Sequence, residues 1–130
     1  MSGKDDGDRL SSPARAGRHG HARADRRNLH LHQVVFEKLR RRPELLASAL
    51  ELLERWLADE RLRPSRRWLE EWREMLRDWP LERIADLVLE PEKGQVLRQC
   101  SPLGPVLTPE ERWDALREIN ERMRVENEMR

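Results

Sequence analysis

The stretch "WLEEWREMLRDWP", residues 68–80, places three tryptophans within a chain that holds five in all, one phenylalanine and no tyrosine. At about 100° per residue, Trp68, Trp72, Met75 and Trp79 fall within a sector roughly 60° wide, with Arg73, Glu74 and Arg77 opposite. That spacing predicts an amphipathic helix whose oily face must be covered by something. Arg66 to Glu70 and Arg67 to Glu71 are spaced as i,i+4 pairs worth a few tenths of a kcal/mol each, and Asp78-Trp79-Pro80 closes the segment.

Working outward, the neighbouring segments read the same way. Upstream, "PELLASALELLERWLADE" puts Pro43 in a first turn, where its missing N–H is not needed, and Glu44 at the positive end of the dipole. Leu46, Leu50, Leu53 and Leu57 form its stripe, widened by Leu45, Ala49, Leu52 and Trp56, a breadth that suits two neighbours. Before it, Leu31, Val35 and Leu39 repeat every four residues behind the candidate N-cap Asn28, predicting a first helix over 29–41. Downstream, "PLERIADLVLE" predicts a short helix, and "PEKGQVLRQ" adds a helical turn or two weakened by Gly94. The segment "CSPLGPVL", with two prolines and a glycine, is a non-helical connector whose Leu103, Val106 and Leu107 are apolar enough to pack on the body. Thr108, Pro109 and Glu111 then form a capping box with proline at the first helical position. The last helix carries Trp113, Leu116, Ile119 and Met123 on a narrow stripe that fades after Val125.

The expected architecture is therefore all-α: a small bundle of four to five helices over residues 28–130. Residues 1–27 have Leu10 as their one large aliphatic after Met1, so a disordered basic arm is expected there. Charged residues make up 39% of the chain and hydrophobic ones 37%, as short helices with ionic outer faces require. The balance of 26 basic against 25 acidic residues argues against a whole domain built to capture phosphate backbones. The asymmetry is local: residues 1–27 hold seven Lys/Arg and four Asp/Glu, a net +3. Apolar runs are broken by charge well short of the ~20 residues of a membrane span. With a single cysteine and no signal-peptide pattern, a cytoplasmic protein without disulfides is expected.

The chemistry-bearing residues do not converge. His19/His21 and His30/His32 are His-x-His pairs; on a helix residues two apart point about 200° away from each other, so His30 and His32 cannot share a metal, and His19/His21 in the arm could scavenge a soft divalent ion but is not expected to be a physiological site. Cys100 lies beside Arg98, a cation that could favour thiolate, but no base or orienter accompanies it. No phosphate-cradling glycine loop or nucleophile elbow is present. The expectation is a non-enzymatic chain with no cofactor and no metal. A helix-turn-helix reading fails on the carboxylates of residues 70, 71, 74 and 78, which would repel the walls of the groove. Nucleic acid, if bound, would meet the arm through Arg15, Arg18, Arg23, Arg26 and Arg27.

The succession "LHLHQVVFEKLRRRPELL", "LERW", "WLEEWREML", "PLERIADLVLE" and "LRQCSPLGPVLTPEERW" resembles a family of small bacterial all-helical proteins, mostly of unassigned function, that look like antitoxins of toxin–antitoxin pairs. The resemblance covers about residues 28–117. Its most specific part is the connector, which in relatives looks like Arg-Gln-Ser-Ser-Pro-Phe, a small residue, Gly-Val-Leu, then a capped helix with Glu-Arg. This chain keeps Arg98, Gln99, Ser101, Pro102, Val106, Leu107, Glu111 and Arg112, and departs at Cys100, Leu103 and Gly104-Pro105. The resemblance implies a protein that neutralises a toxin encoded nearby by direct binding, with self-association as a further expectation. The contacts expected on this reading are Leu103, Val106 and Leu107 of the connector and Arg112, Trp113 and Arg117 of the last helix. The alternative is a nucleic-acid-associated transcriptional regulator that uses the basic arm.

Overall fold

Six helices and the turns between them make up the computed structural model, which describes the backbone of residues 14–130 and the side chains of residues 21–130. In chain order they are α1 (Ala14–Arg41), α2 (Leu46–Leu57), α3 (Arg66–Asp78), α4 (Leu81–Val88), α5 (Gln95–Gln99) and α6 (Pro109–Glu128). No strand occurs among the described residues. None of their helices is long and apolar enough to cross a membrane. The small all-α bundle is therefore the architecture, with short α5 and three 3₁₀ turns filling the connections.

The first helix starts earlier than residue 29. Residues 14–27, expected as arm, continue α1, and residues 1–13 lie outside the described residues. Tertiary ties hold the near end of this extension. Gln95 Nε2 donates to Asp25 Oδ2 at 2.5 Å, Arg26 pairs with Glu126 through two bonds of 2.6 and 2.7 Å, and Arg27 Nε donates to Asn120 Oδ1 at 2.8 Å. Ala14, Ala16, Ala22, Ala24 and the arginines between them have high helix propensity, so a helix anchored at one end can run through them.

Pro43–Leu45 forms a 3₁₀ turn rather than the first turn of α2. The broad apolar stripe of α2 is used on two sides, against α3 and against the connector. On α3 the buried face is centred on Leu69, Trp72 and Met75, rotated from the sector that the tryptophans mark out. The displacement arises because α3 is sandwiched between α2 and α5. Trp72 is fully enclosed, at 0% exposure, and its Nε1–H donates to the Leu97 carbonyl at 2.9 Å, which satisfies the one polar atom of the indole. Trp68 and Trp79 sit half-buried at the rim, each roofed by a guanidinium: Arg67 lies 4.9 Å from the Trp68 ring and Arg83 3.9 Å from the Trp79 ring. Phe36, Leu39, Leu53, Ile84, Val88 and Leu103 complete the innermost layer.

The capping box at the head of α6 is present as expected. Glu111 N–H donates to Thr108 Oγ1 at 3.1 Å, and Thr108 N–H donates to Glu111 Oε1 at 2.8 Å. The same Glu111 oxygen receives Lys38 Nζ of α1 at 2.6 Å, which fixes the start of α6 to the main helix.

Candidate functional site

The connector and the short helix before it organise a polar concavity on one side of the fold. Arg98, on α5, is 4% exposed, and its guanidinium turns back onto the end of α4. Nη1 donates to the carbonyls of Val88 at 2.7 Å and Glu90 at 2.9 Å, and Nη2 donates to that of Pro91 at 2.9 Å. The Val88 carbonyl is one of the orphan acceptors that α4 leaves at its C-terminus, while those of Glu90 and Pro91 belong to the turn that follows it. So close an approach requires Gly94: a Cβ there would overlap the Val88 carbonyl oxygen and reach within 2.7 Å of the Leu87 oxygen and of Arg98 Nη1. Burial pulls the Arg98 pKa below the ordinary arginine value, while Asp25 and Glu90 act in the opposite direction.

Between α1, the connector and the head of α6 lies a cleft of about 260 Å³. Asn28, His32, Arg98, Gln99, Ser101 and Arg112 supply its polar lining, and Leu31, Val35, Leu103 and Leu107 its apolar part. None of the lining residues is acidic. The His32 ring is 6% exposed, with Nδ1 2.8 Å from the Asn28 carbonyl oxygen. A carbonyl can only accept, so Nδ1 carries the hydrogen and Nε2 presents a lone pair in the neutral ring. That Nε2 has no partner among the described residues. Burial lowers the His32 pKa to about 4, with the charges of Arg98 and Arg112 acting in the same direction and the Asn28 bond opposing them. Ser101 Oγ accepts the Leu103 N–H at 3.1 Å, which leaves its own hydrogen free to donate.

The expected contact residues divide into two groups. Leu103, Val106 and Leu107 are all buried in the core. The connector packs its apolar side chains inward against α1 and α2, so these three are covered mainly by the chain itself. Arg112, Trp113 and Arg117 stand on the outer side of α6, and Trp113, at 63% exposure, is the largest side chain left uncovered. Arg117 pairs with Asp114 one turn earlier.

Of the five arginines expected for nucleic acid, the side chains of Arg15 and Arg18 lie outside the described residues. Arg26 and Arg27 are bonded to Glu126 and Asn120 of α6 rather than carried on a free arm. Arg23 is exposed, and with Arg27 and Arg124 it lines a groove between the early part of α1 and the late part of α6.

Cys100 is half-buried, and its thiol donates to the Val96 carbonyl at 3.4 Å. Burial pushes its pKa up, the reverse of what the adjacent Arg98 suggests in sequence, because that guanidinium is occupied at the end of α4. His30 and His32 diverge as their spacing requires: His30 Nε2 sits 2.7 Å from Glu118, while His32 lines the cleft. Among the described residues no three His, Cys, Asp or Glu side chains are grouped to hold a metal ion.

Sequence reasoning did not anticipate that His32 would meet Arg98 and Arg112. One signal was present, since Arg98, Ser101 and Arg112 all belong to the connector pattern; the missing element was the face of α1 on which it closes. No protein family, curated protein or solved structure matches the chain.

Proposed function

We propose that this chain works by binding another protein, and that the partner is a toxin which it neutralises by contact in the cytoplasm. The observation that carries the reading is the exposure of Trp113 on α6 between Arg112 and Arg117. Tryptophan and arginine are the residue types that most often dominate association energy, and an indole left open to water favours a partner that covers it. The arginines beside it add a preference for an acidic rim on that partner.

The test is co-expression with the product of the adjacent gene. Growth inhibition by that product is expected to be relieved by the unmodified chain and restored by Trp113→Ala, with the helical content unchanged. A neighbouring gene product that is harmless alone, or rescue that survives Trp113→Ala, would refute the reading.

A second reading rests on the groove that Arg23, Arg27 and Arg124 share. There the chain would associate with nucleic acid through phosphate contacts, and affinity would fall steeply between about 50 and 200 mM salt. A partner held by Trp113 would lose much less over that interval.

A further inference from the structure

We propose that the cleft between α1, the connector and the head of α6 binds a phosphate group, free or as a monoester, through Arg112, Ser101 and His32. The proposal stands apart from the toxin reading, although Arg112 borders both surfaces.

The charge of the cleft is the first argument. Residues 28–130 carry nineteen basic and twenty-one acidic side chains, yet two arginines and no acidic residue line this concavity. A walled cleft with charge of one sign concentrates its field and attracts the opposite ion. Arg98 is fixed by three backbone carbonyls, so its charge is held in place and Arg112 is left to make the direct contact. A volume of about 260 Å³ exceeds that of one tetrahedral oxyanion, leaving space for an ester substituent or for water.

The hydrogen-bonding pattern selects among anions. Arg112 and the Ser101 hydroxyl donate, whereas His32 Nε2 offers a lone pair because the Asn28 carbonyl holds the hydrogen on Nδ1. A ligand that satisfies all three needs anionic oxygens and an O–H on the same group. Singly protonated phosphate has both. Ionised carboxylate and sulfate only accept, and would leave the His32 Nε2 lone pair facing a lone pair.

Proton linkage follows. The complex holds one shared proton, placed either on the phosphate or on His32 Nε2, and the two placements have the same total charge. The groups facing His32 are Arg98 from α5 and Arg112 from α6, with the uncharged Asn28 on its own helix. Asp25 and Glu90 act on Arg98, and His30, two residues earlier on α1, is paired with Glu118. A phosphomonoester loses its second proton at about pH 6, so binding above that pH must take up one proton and weaken as pH rises.

The experiment titrates the full chain with inorganic phosphate, O-phosphoserine and adenosine monophosphate by calorimetry and by imidazole resonances, with sulfate and acetate at matched ionic strength. Submillimolar binding is expected for at least one phosphate, weakened about tenfold or more by Arg112→Gln and unaffected by Arg117→Gln. Monoester affinity should be level between pH 4.5 and about 6, then fall by up to tenfold per pH unit. This pH series tests His32 in the unmodified chain, without a substitution in the packed interior. Whichever phosphate binds tightest identifies the source and supports the site. Sulfate or acetate binding as well as phosphate, an affinity independent of pH, or an Arg112→Gln chain that binds normally would overturn the proposal.

Discussion

Arg98 donates through Nη1 to the Val88 carbonyl at 2.7 Å, and this bond ties α5 to the last turn of α4. The donor approaches over Gly94, where no side chain could stand. Arg98→Met should therefore leave the Val88 and Pro91 carbonyls without their donor, the Glu90 carbonyl keeping the Gly94 N–H, and cost about 3 kcal/mol. Gly94→Ala should cost about 1–3 kcal/mol by forcing the backbones apart. Urea unfolding measures both, and a Gly94→Ala chain as stable as the parent would mean that α5 does not approach α4 this closely.

His32 predicts a pH dependence of stability. Its pKa in the folded chain is about 4, below the ordinary 6.5, so the unfolded chain binds more protons between these values. Stability then rises with pH across the window, and acidification from 6.5 to 4 removes about 3 kcal/mol through this residue. Glu82, Glu111 and Glu126 are held below the usual carboxylate range by hydrogen bonds to Arg40, Lys38 and Arg26, and add their own losses at lower pH. The contribution of His32 is isolated by comparison with His32→Gln, whose stability curve should be flatter between pH 6.5 and 4.

Leu103 and Trp113 should exchange the roles that their positions in the sequence suggest. Leu103→Ala empties a fully enclosed site and should cost about 2–5 kcal/mol. Trp113→Ala removes a larger side chain from an exposed position and should change stability by no more than about 0.5 kcal/mol. Thermal unfolding of the two variants side by side gives the comparison; equal losses would mean that Trp113 is covered by the chain itself.

The Lys38–Glu111 pair makes an asymmetric prediction. Lys38 is buried while Glu111 is partly exposed and also completes the capping box. Glu111→Ala should cost about 2 kcal/mol, because it removes the Glu111 half of the capping box and strands an ammonium in the interior. Lys38→Met, which leaves Glu111 on the helix head and fills the space with an apolar chain, should stay within about 1 kcal/mol of the parent. Chemical denaturation orders the two, and the reverse order would count against the cap.

How much of this was legible depends on how local the cause is. The capping box from Thr108 to Glu111 spans four residues and reads directly. The amphipathic α3 reads too, but its buried centre shifts from Trp68 and Trp79 toward Leu69 because α2 and α5 press from particular directions. The helical state of residues 14–27 was obscured by composition: without large aliphatics the segment has no face of its own, and its ties to Gln95, Asn120 and Glu126 come from distant parts of the chain. For the cleft, the connector pattern named Arg98, Ser101 and Arg112 but carried no trace of His32, which arrives from α1. The burial of Arg98 was equally hidden, since its acceptors are carbonyl groups that every residue possesses.

The shared oxygen of Glu111 has a mechanical consequence. Because one carboxylate oxygen receives both the Thr108 amide and the Lys38 ammonium, the head of α6 is clamped at two points one turn before the indole of Trp113. The indole thus rides on a stiff stalk rather than a swinging one. On the proposed reading, a partner docking there would meet a preset anchor and forgo the entropy loss of straightening a helix, which would leave diffusion and orientation as the main barriers to capture.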